Sequence, residues 1–547
     1  MYHLIKSIKI DIYLDYWFIP LRIFGKLSIV FICICIYANV YSQPLCSGLS
    51  NMEIGGYIFE DWNYNGSKDV NENIGVPGVV VNITSCDGVS TWSTVSDSDG
   101  NWTVNVGATP FCNGADDLRV EFIIPSNLDT WAEITSSGSN NGTSVQFLSK
   151  GSCSYLAISA TQDYCQDSSR VSVICYEGGT GVGNINPALV SFGYNATGLP
   201  AAYGGTGENP VPEAQILELG AVAGMGYQVD KKRLFIGSFL KRFVGLINGP
   251  GNVYIMNYSG GTPVIEGDFD LQGINPANGG PSLDFGIVCR DAGCAFDPGN
   301  TGIPADYILP ESPYDDSWDL DAFGKIGKMA MGDLELSEDN NTLFLVNLFQ
   351  NAIVTIDVSG NTSSLPGEVN QYLIGSLPGA PTCISGSIRP FALSIRRGVG
   401  YLGLICDASV SQLPSDLEAY VLSFDPENIS AGFSTVVNFD LDYVREFGQN
   451  PAPPINWKAW ADTWATLNPQ TNGSDNNYMA AQPILSDIEF SENGSLVLGF
   501  MDRFGHQNGR ANHRAISQDP DLVDTNSGGD IIQVCNVAGT YTVEGGV

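Results

Sequence analysis

A block of strand, polar turn, strand, loop and strand recurs along the second half of this chain, and no other feature restricts the fold as strongly. Residues 331–340 (MGDLELSEDN) lead into 342–346 (TLFLV) and 352–357 (AIVTID). Residues 485–494 (LSDIEFSENG) lead into 495–500 (SLVLGF) and 529–533 (GDIIQ). Two looser copies keep the same order, one over 223–230, 233–237 and 252–256, the other over 391–396, 400–405 and 419–424. A unit of three or four strands leaves both faces open to water when alone. Radial stacking covers those faces, and the result is a β-propeller. Stretches at 262–325 and 437–480, rich in Pro, Gly, Asn and aromatics, read as loops on a propeller face. Four to five units are recognisable between residues 186 and 547, and the array can be incomplete. A plain array of sandwiches is the competing reading.

The chain ahead of the repeats has another pattern. Between residues 52 and 150, short apolar runs at 54–59, 78–83, 90–95, 101–106 and 118–124 alternate with turn residues. Strands of that length with a turn every 8–12 residues or so indicate an antiparallel sandwich. Residues 151–185 hold three cysteines and few long apolar stretches, and read as a cross-linked connector with a flexible joint at 178–183 (GGTGVG). The expected fold class is all-β, a prealbumin/Ig-like β-sandwich followed by a β-propeller.

Charge narrows the partners. With 24 Lys and Arg against 59 Asp and Glu, the formal net charge is −35. Such a surface repels phosphate backbones and anionic lipid, so nucleic-acid binding is not expected. Clustered carboxylates attract Ca²⁺, a hard cation that prefers oxygen ligands; solubility alone is the plainer use of the charge.

Lys6, Lys9, Arg22 and Lys26 precede an apolar run at 27–40, the pattern of an export signal over residues 1–42 with Gln43 as the mature start. An uncleaved anchor is the alternative; no later segment looks membrane-spanning. Disulfides are the default in an exported chain. Cys165–Cys175, Cys289–Cys294 and Cys383–Cys406 are local pairs compatible with the spacing, and the absence of a C-x-x-C motif leaves zinc without support.

The strongest motif spans residues 61–72 (DWNYNGSKDVNE). It fits the twelve-residue calcium pattern D-x-[DN]-x-[DN]-G-x₅-E. Oxygens of Asp61, Asn63 and Asn65 would wrap one side of the ion. Gly66 permits the sharp turn, Ser67 offers its carbonyl, Asp69 ligates directly or through water, and Glu72 closes the site with two oxygens. The plain alternative is a solvated Asn/Gly turn. The flanks are strands, so this is no helix–loop–helix hand.

Residues 55–59 (GGYIF), the loop, 75–81 (GVPGVVV) and 96–102 (SDSDGNW) together resemble, block by block, the B domain of serine–aspartate repeat surface proteins. The resemblance covers about 90 residues. It implies a calcium-bound, prealbumin-like sandwich serving as a rigid spacer on a bacterial cell-surface adhesin. It also implies that Asp97 and Asp99, in the matching second acidic turn, complete or add a calcium site. Related adhesin domains carry a Lys–Asn isopeptide bond instead. Here the lysines between 43 and 150 are Lys68, inside the loop, and Lys150, so calcium is the expected stabiliser. A looser likeness, from residues 163–175 and the 332–337 unit, is to exported proteins that pair such a domain with a propeller-like region.

A secreted hydrolase is the rival reading, because propeller faces host active sites. His506 and His513 are the only histidines after the export signal, and no G-x-S-x-G, H-E-x-x-H or phosphate-cradling motif is present. Asp333 and Asp487, with Glu335 and Glu489, occupy equivalent repeat positions and read as structural acceptors or as channel-lining metal ligands. The acidic run at 315–321 reads as a solvated loop. Trp457, Trp460 and Trp464 suit core packing or sugar stacking. The expectation is therefore a secreted or cell-surface structural or adhesion protein, not an enzyme. Its calcium-stabilised B domain would present a propeller to a protein or glycan ligand. A surface-layer or matrix component is the remaining alternative.

Overall fold

The computed structural model describes residues 48–544, apart from 70, 71, 73, 108–116, 136–142, 165–168, 291–304, 361–366, 446–455, 472–475, 492 and 538. The export signal expected over residues 1–42 lies outside the described residues. Among those described, no helix is long and apolar enough to cross a membrane.

The first part is a two-sheet sandwich. Its strands are β1 (Glu53–Glu60), β2 (Val80–Ser85), β3 (Thr91–Val95), β4 (Asn101–Asn105), β5 (Asp117–Ile123), β6 (Glu133–Ile134), β7 (Val145–Ser149) and β8 (Cys153–Ser159). One sheet runs β4-β1-β8-β6 and the other β3-β2-β5-β7. Alternation sorts the side chains. In β2, Val81 and Ile83 turn inward while Asn82 and Thr84 face out. Trp102, Phe122, Trp131 and Ile158 join the same core. Residues 153–159, expected in the connector, instead pair in parallel with β1, Gly55 opposite Cys153 through Glu60 opposite Ile158. The run CSYLAIS was short enough to pass for linker, but its apolar face covers a sheet that would otherwise lie open.

The second part is a series of antiparallel meanders. A three-stranded sheet comes first, β9 (Arg170–Ile174), β10 (Pro187–Gly193) and β11 (Val211–Gln215). Four four-stranded blades follow. They are β12 (Val222–Gln228), β13 (Arg233–Ser238), β14 (Asn252–Asn257) and β15 (Val264–Asp270); β16 (Met331–Leu336), β17 (Thr342–Asn347), β18 (Ala352–Asp357) and β19 (Val369–Leu373); β20 (Ile388–Arg396), β21 (Val399–Cys406), β22 (Glu418–Phe424) and β23 (Phe433–Asp440). In the last, β24 (Gln470–Thr471) and β25 (Asn477–Met479) precede β26 (Pro483–Phe490) and β27 (Leu496–Asp502), and β28 (Asn512–His513) and β29 (Leu522–Thr525) intervene before β30 (Asp530–Val537) and β31 (Thr540–Val543). The blade is β26-β27-β30-β31, and the other four short strands make a small sheet of their own. Residues 264–270, expected in a face loop, are the outermost strand of a blade.

Successive first strands lie side by side, β12 on β16, β16 on β20 and β20 on β26. Each carries a register shift near its start, between Val222 and Met225, Met331 and Leu334, Pro390 and Ala392, and Leu485 and Asp487. A bulge re-aims the next side chain and bends the strand. At two of these bulges the backbones nest. A Cβ on Gly224 would fall on the Gly332 carbonyl, and one on Gly332 would press on Phe391. This close approach is the physical content of the sequence repeat.

Between blades, apolar side chains fill both sheet faces, as Leu343, Phe344, Leu345 and Val346 of β17 do. Trp457 and Trp460 belong to this core, and Trp464 to a neighbouring one, so the packing reading of the three tryptophans holds. Cys383 and Cys406 are disulfide-bonded. Cys289 is also in a disulfide, while its expected partner Cys294 lies outside the described residues. Cys175 is a free thiol, contrary to the expected Cys165–Cys175 pair, and Cys165 itself lies outside the described residues. The acidic run at 315–321 is solvated only in part. Asp319 is fully buried and binds Arg290, and Asp321 pairs with Lys325.

Candidate metal centre

The twelve-residue loop is an excursion from the end of β1, clamped at its base. Glu60 N–H donates to Ile74 O (3.0 Å) and Val76 N–H to Ile58 O (2.9 Å), on either side of a bridge between Phe59 and Gly75. Gly75 is required, because a Cβ there would fall on the Asp99 carbonyl. Gly66 holds a positive φ of 70°, the sharp bend the motif needs.

Inside the loop the oxygens face the backbone. Asp61, fully buried, accepts Asn65 N–H (3.3 Å) and Gly66 N–H (2.7 Å). The two oxygens of Glu72 accept Trp62 N–H (3.0 Å) and Asp69 N–H (2.8 Å). Asp69 Oδ2 accepts Asn63 Nδ2 (2.6 Å) and Asn65 Nδ2 (2.9 Å). Asn63 Oδ1 and Asn65 Oδ1 accept the N–H groups of Asn65 and Ser67. Burial pushes the Glu72 carboxyl above the usual range, and the nearby Asp61 and Asp69 charges add to the rise.

Three carboxylates and two carboxamides on one short loop form a donor set that suits a hard divalent cation. A calcium ion bound there would be held by Asp61, Asn63, Asn65, the Ser67 carbonyl, Asp69 and Glu72, and would supply the charge that relieves their repulsion. Among the described residues no three acidic, histidine or cysteine groups are gathered as a preformed metal cluster. Cation binding would thus turn carboxylates that now cap backbone N–H groups.

Asp97 and Asp99 sit in the turn packed at the base of the loop. Asp97 Oδ1 accepts Asp99 N–H (3.0 Å) and Asn101 N–H (2.9 Å), and the pair is felt by Tyr57. Burial and then these two charges push the Tyr57 hydroxyl up to about 12. Lys68 leaves the loop to lie over the Tyr57 ring (5.2 Å).

Residues 52–163 match the SdrD B-like domain. The family model thus covers the sandwich, β8 included, and ends before the first blade. Over most of its length the chain is similar to colossins of Dictyostelium discoideum. It is 24% identical to Colossin-A over 93% of this chain and 4% of that protein, and 24% identical to Colossin-C over 83% and 40%. The chain thus spans well under half the length of these relatives. Among solved structures, a Lactobacillus plantarum protein (9% identity, 86% of this chain and 95% of that one) has a TM-score of 0.28. The periplasmic gluconolactonase PpgL of Pseudomonas aeruginosa (12%, 84% and 99%) has one of 0.24.

Away from the SdrD B-like domain, the matched carboxylates of the repeat converge. Asp333 Oδ2 accepts Leu393 N–H from the neighbouring blade (3.1 Å), a structural use. Burial raises the Asp333 carboxyl well above its usual range, with the Glu335 and Asp487 charges adding to it. Glu335 is pushed up to about 8 by burial and then by Glu489 and Asp487. Burial also raises Asp487 and Glu489.

Both histidines sit among aromatics. His506 packs edge-on against Phe239 (5.1 Å) and Tyr176 (6.1 Å), and burial followed by Lys241 depresses it to about 3. His513 stacks on Trp318 (4.0 Å) and pairs with Asp316.

Sequence reasoning missed the other surface of the loop. Glu60, just ahead of Asp61, receives Arg397 of the β20–β21 turn, and Trp62 lies under Arg396 and Arg397. An Arg-Arg-Gly turn between strands was the one available signal, and nothing in the sequence says what it meets.

Proposed function

We propose that this chain is an exported surface or matrix module, in which a calcium-stabilised SdrD B-like domain holds a propeller-like array that binds a protein or glycan ligand. The loop at residues 61–72 carries the reading. Its donors are all oxygens at the spacing of a twelve-residue calcium loop, and the Asp61 and Asp69 charges that press on Glu72 favour a cation beside them. The family of surface-protein domains that residues 52–163 match supports an extracellular setting.

The ligand's place in this reading is a cleft of about 960 Å³ on the blades, lined by Gln272, Asp284, Tyr307, Asp321, Lys328 and Phe349 among others. Its mixed aromatic and hydrogen-bonding lining is of the kind that holds small polar ligands. Binding rather than turnover is favoured by the two histidines. One is neutral and enclosed by rings, and the other is committed to Trp318 and Asp316.

The test is thermal unfolding of the full chain in millimolar Ca²⁺ and in excess chelator. At [Ca²⁺] of about 100 times Kd the bound state gains about 2.7 kcal/mol, so the sandwich transition moves up by several degrees. The Asp61→Asn, Glu72→Gln double variant loses the shift. Identical melting of the wild type in calcium and chelator overturns the proposal.

A further inference from the structure

The cation loop is also the surface on which the blades rest. Arg396 and Arg397 lie at the β20–β21 turn. The Arg397 guanidinium donates to Glu60 (Nε–Oε1 2.9 Å) and to Asp163 (2.7 Å), and both acceptors belong to the SdrD B-like domain. Its ring neighbours are Trp131 (4.9 Å) and Trp62 (5.8 Å), and Arg396 lies over Trp62 at 5.0 Å. A planar guanidinium suits both kinds of contact at once, carboxylate pairing at its edge and aromatic stacking on its face.

The turn is held in an unusual backbone shape to make these contacts. Arg397 has φ 54° and Gly398 φ 72°, the conformation of a two-residue hairpin turn, in which the first position is commonly Asn or Gly. An arginine there is strained. The blades fix it from their own side, since Glu338 accepts the N–H groups of Arg397 (2.5 Å) and Gly398 (2.8 Å). Strain retained at a contact and over-determined by its surroundings points to a use.

On the sandwich side, Trp62 is pinned by the residues that close the loop. Its N–H donates to Glu72 Oε1, and its carbonyl accepts Tyr164 O–H (3.2 Å). Glu72 therefore holds the backbone of Trp62, from which the indole reaches under the arginines, and Asp61 connects that residue to Glu60. A change in how Glu72 and Asp61 close the loop shifts both of the groups that Arg397 grips.

We infer that the loop and the β20–β21 turn are energetically coupled. Cation binding at residues 61–72 locks the blades onto the SdrD B-like domain through Trp62 and Glu60, and docking in turn tightens the cation, since such coupling is reciprocal. The inference rests on the calcium reading above. In it, Trp62, Glu60, Arg396 and Arg397 are positioning residues, not ligands.

Hydrogen exchange of the full chain with and without 5 mM or so Ca²⁺ tests it. Calcium is expected to slow exchange in the loop and also, about five-fold or more, at residues 127–131 and 396–400, while the turn at 258–262 of a remote blade stays unchanged. In Trp62→Leu, which keeps every charge and every loop ligand, calcium still protects the loop, and its protection of the β20–β21 turn is reduced to what the Glu60–Arg397 pair alone transmits; protection of the turn equal to the wild type's would remove Trp62 from the coupling. Protection confined to the loop in the wild type overturns the coupling and leaves the calcium reading standing. Protection nowhere overturns both. The wild-type comparison decides the coupling even if Trp62→Leu fails to fold.

Discussion

Replacing Glu335 by Gln should stabilise the blades, and only above acid pH. The carboxyl has an ordinary value of 4.5 and is pushed up to about 8 in the fold by burial and by Glu489 and Asp487. Below pH 4.5 it is protonated folded and unfolded alike and contributes nothing to pH dependence. As pH rises through 4.5 the unfolded chain ionises first, so folding loses stability until the folded group ionises near 8. One pKa unit corresponds to about 1.4 kcal/mol, so the loss at pH 7 approaches about 3 kcal/mol. Glu335 is not sealed from solvent, and screening brings this down to about 1–3 kcal/mol. Gln retains an oxygen for the Leu336 N–H that Oε1 now accepts at 3.0 Å. It removes the repulsion, so the blade transition should rise by about 2–6 °C at pH 7. Scanning calorimetry of variant and wild type at pH 4, 7 and 9 measures it. The two should coincide at pH 4 and diverge at 7 and 9. A variant that melts lower at pH 7, or by an equal offset at all three values, refutes the reasoning.

Two further outcomes follow from other buried groups. Replacing Cys383 by Ser and Cys406 by Ala opens a cross-link of sequence separation 23. Urea unfolding should then show a loss of about 3 kcal/mol, and a loss under about 1 kcal/mol would mean the unfolded chain is not being restrained there. His506 is neutral in the fold, depressed from 6.5 to about 3, so stability is lost as pH falls from 6.5 toward 3 while the unfolded chain takes up the proton. In His506→Leu the drop in melting temperature between pH 7 and pH 5 should shrink by an amount equivalent to about 1–2 kcal/mol, whatever packing cost the leucine adds at both. An unchanged drop would show that His506 is already charged when folded.

Much of this architecture could be read from residue order. The alternation in 80–85 and the five-residue apolar runs of the blades encode strands, because each side chain's face follows from the two-residue period of the backbone. The repeat placed Asp333 and Asp487 at equivalent points, and those points prove to be at or beside the bulges where first strands nest. The twelve-residue loop was legible for the same reason, since all its oxygens come from one short stretch whose spacing is itself the geometry.

Contacts between distant segments were not legible. Strand β8 looked like linker because its parallel partner lies about a hundred residues earlier, and pairing partners are not written in composition. The run at 315–321 looked solvated because Asp319 acquires Arg290 only when the chain folds. The seat of the loop at residues 61–72 was hidden most completely. Residues 60–62 and 396–397 are over 330 positions apart. Each segment reads locally as a plain turn or strand end. The close approach of sandwich and blades turns an acid, an indole and two arginines into one contact, because desolvation makes charge pairing and stacking effective only where water is excluded.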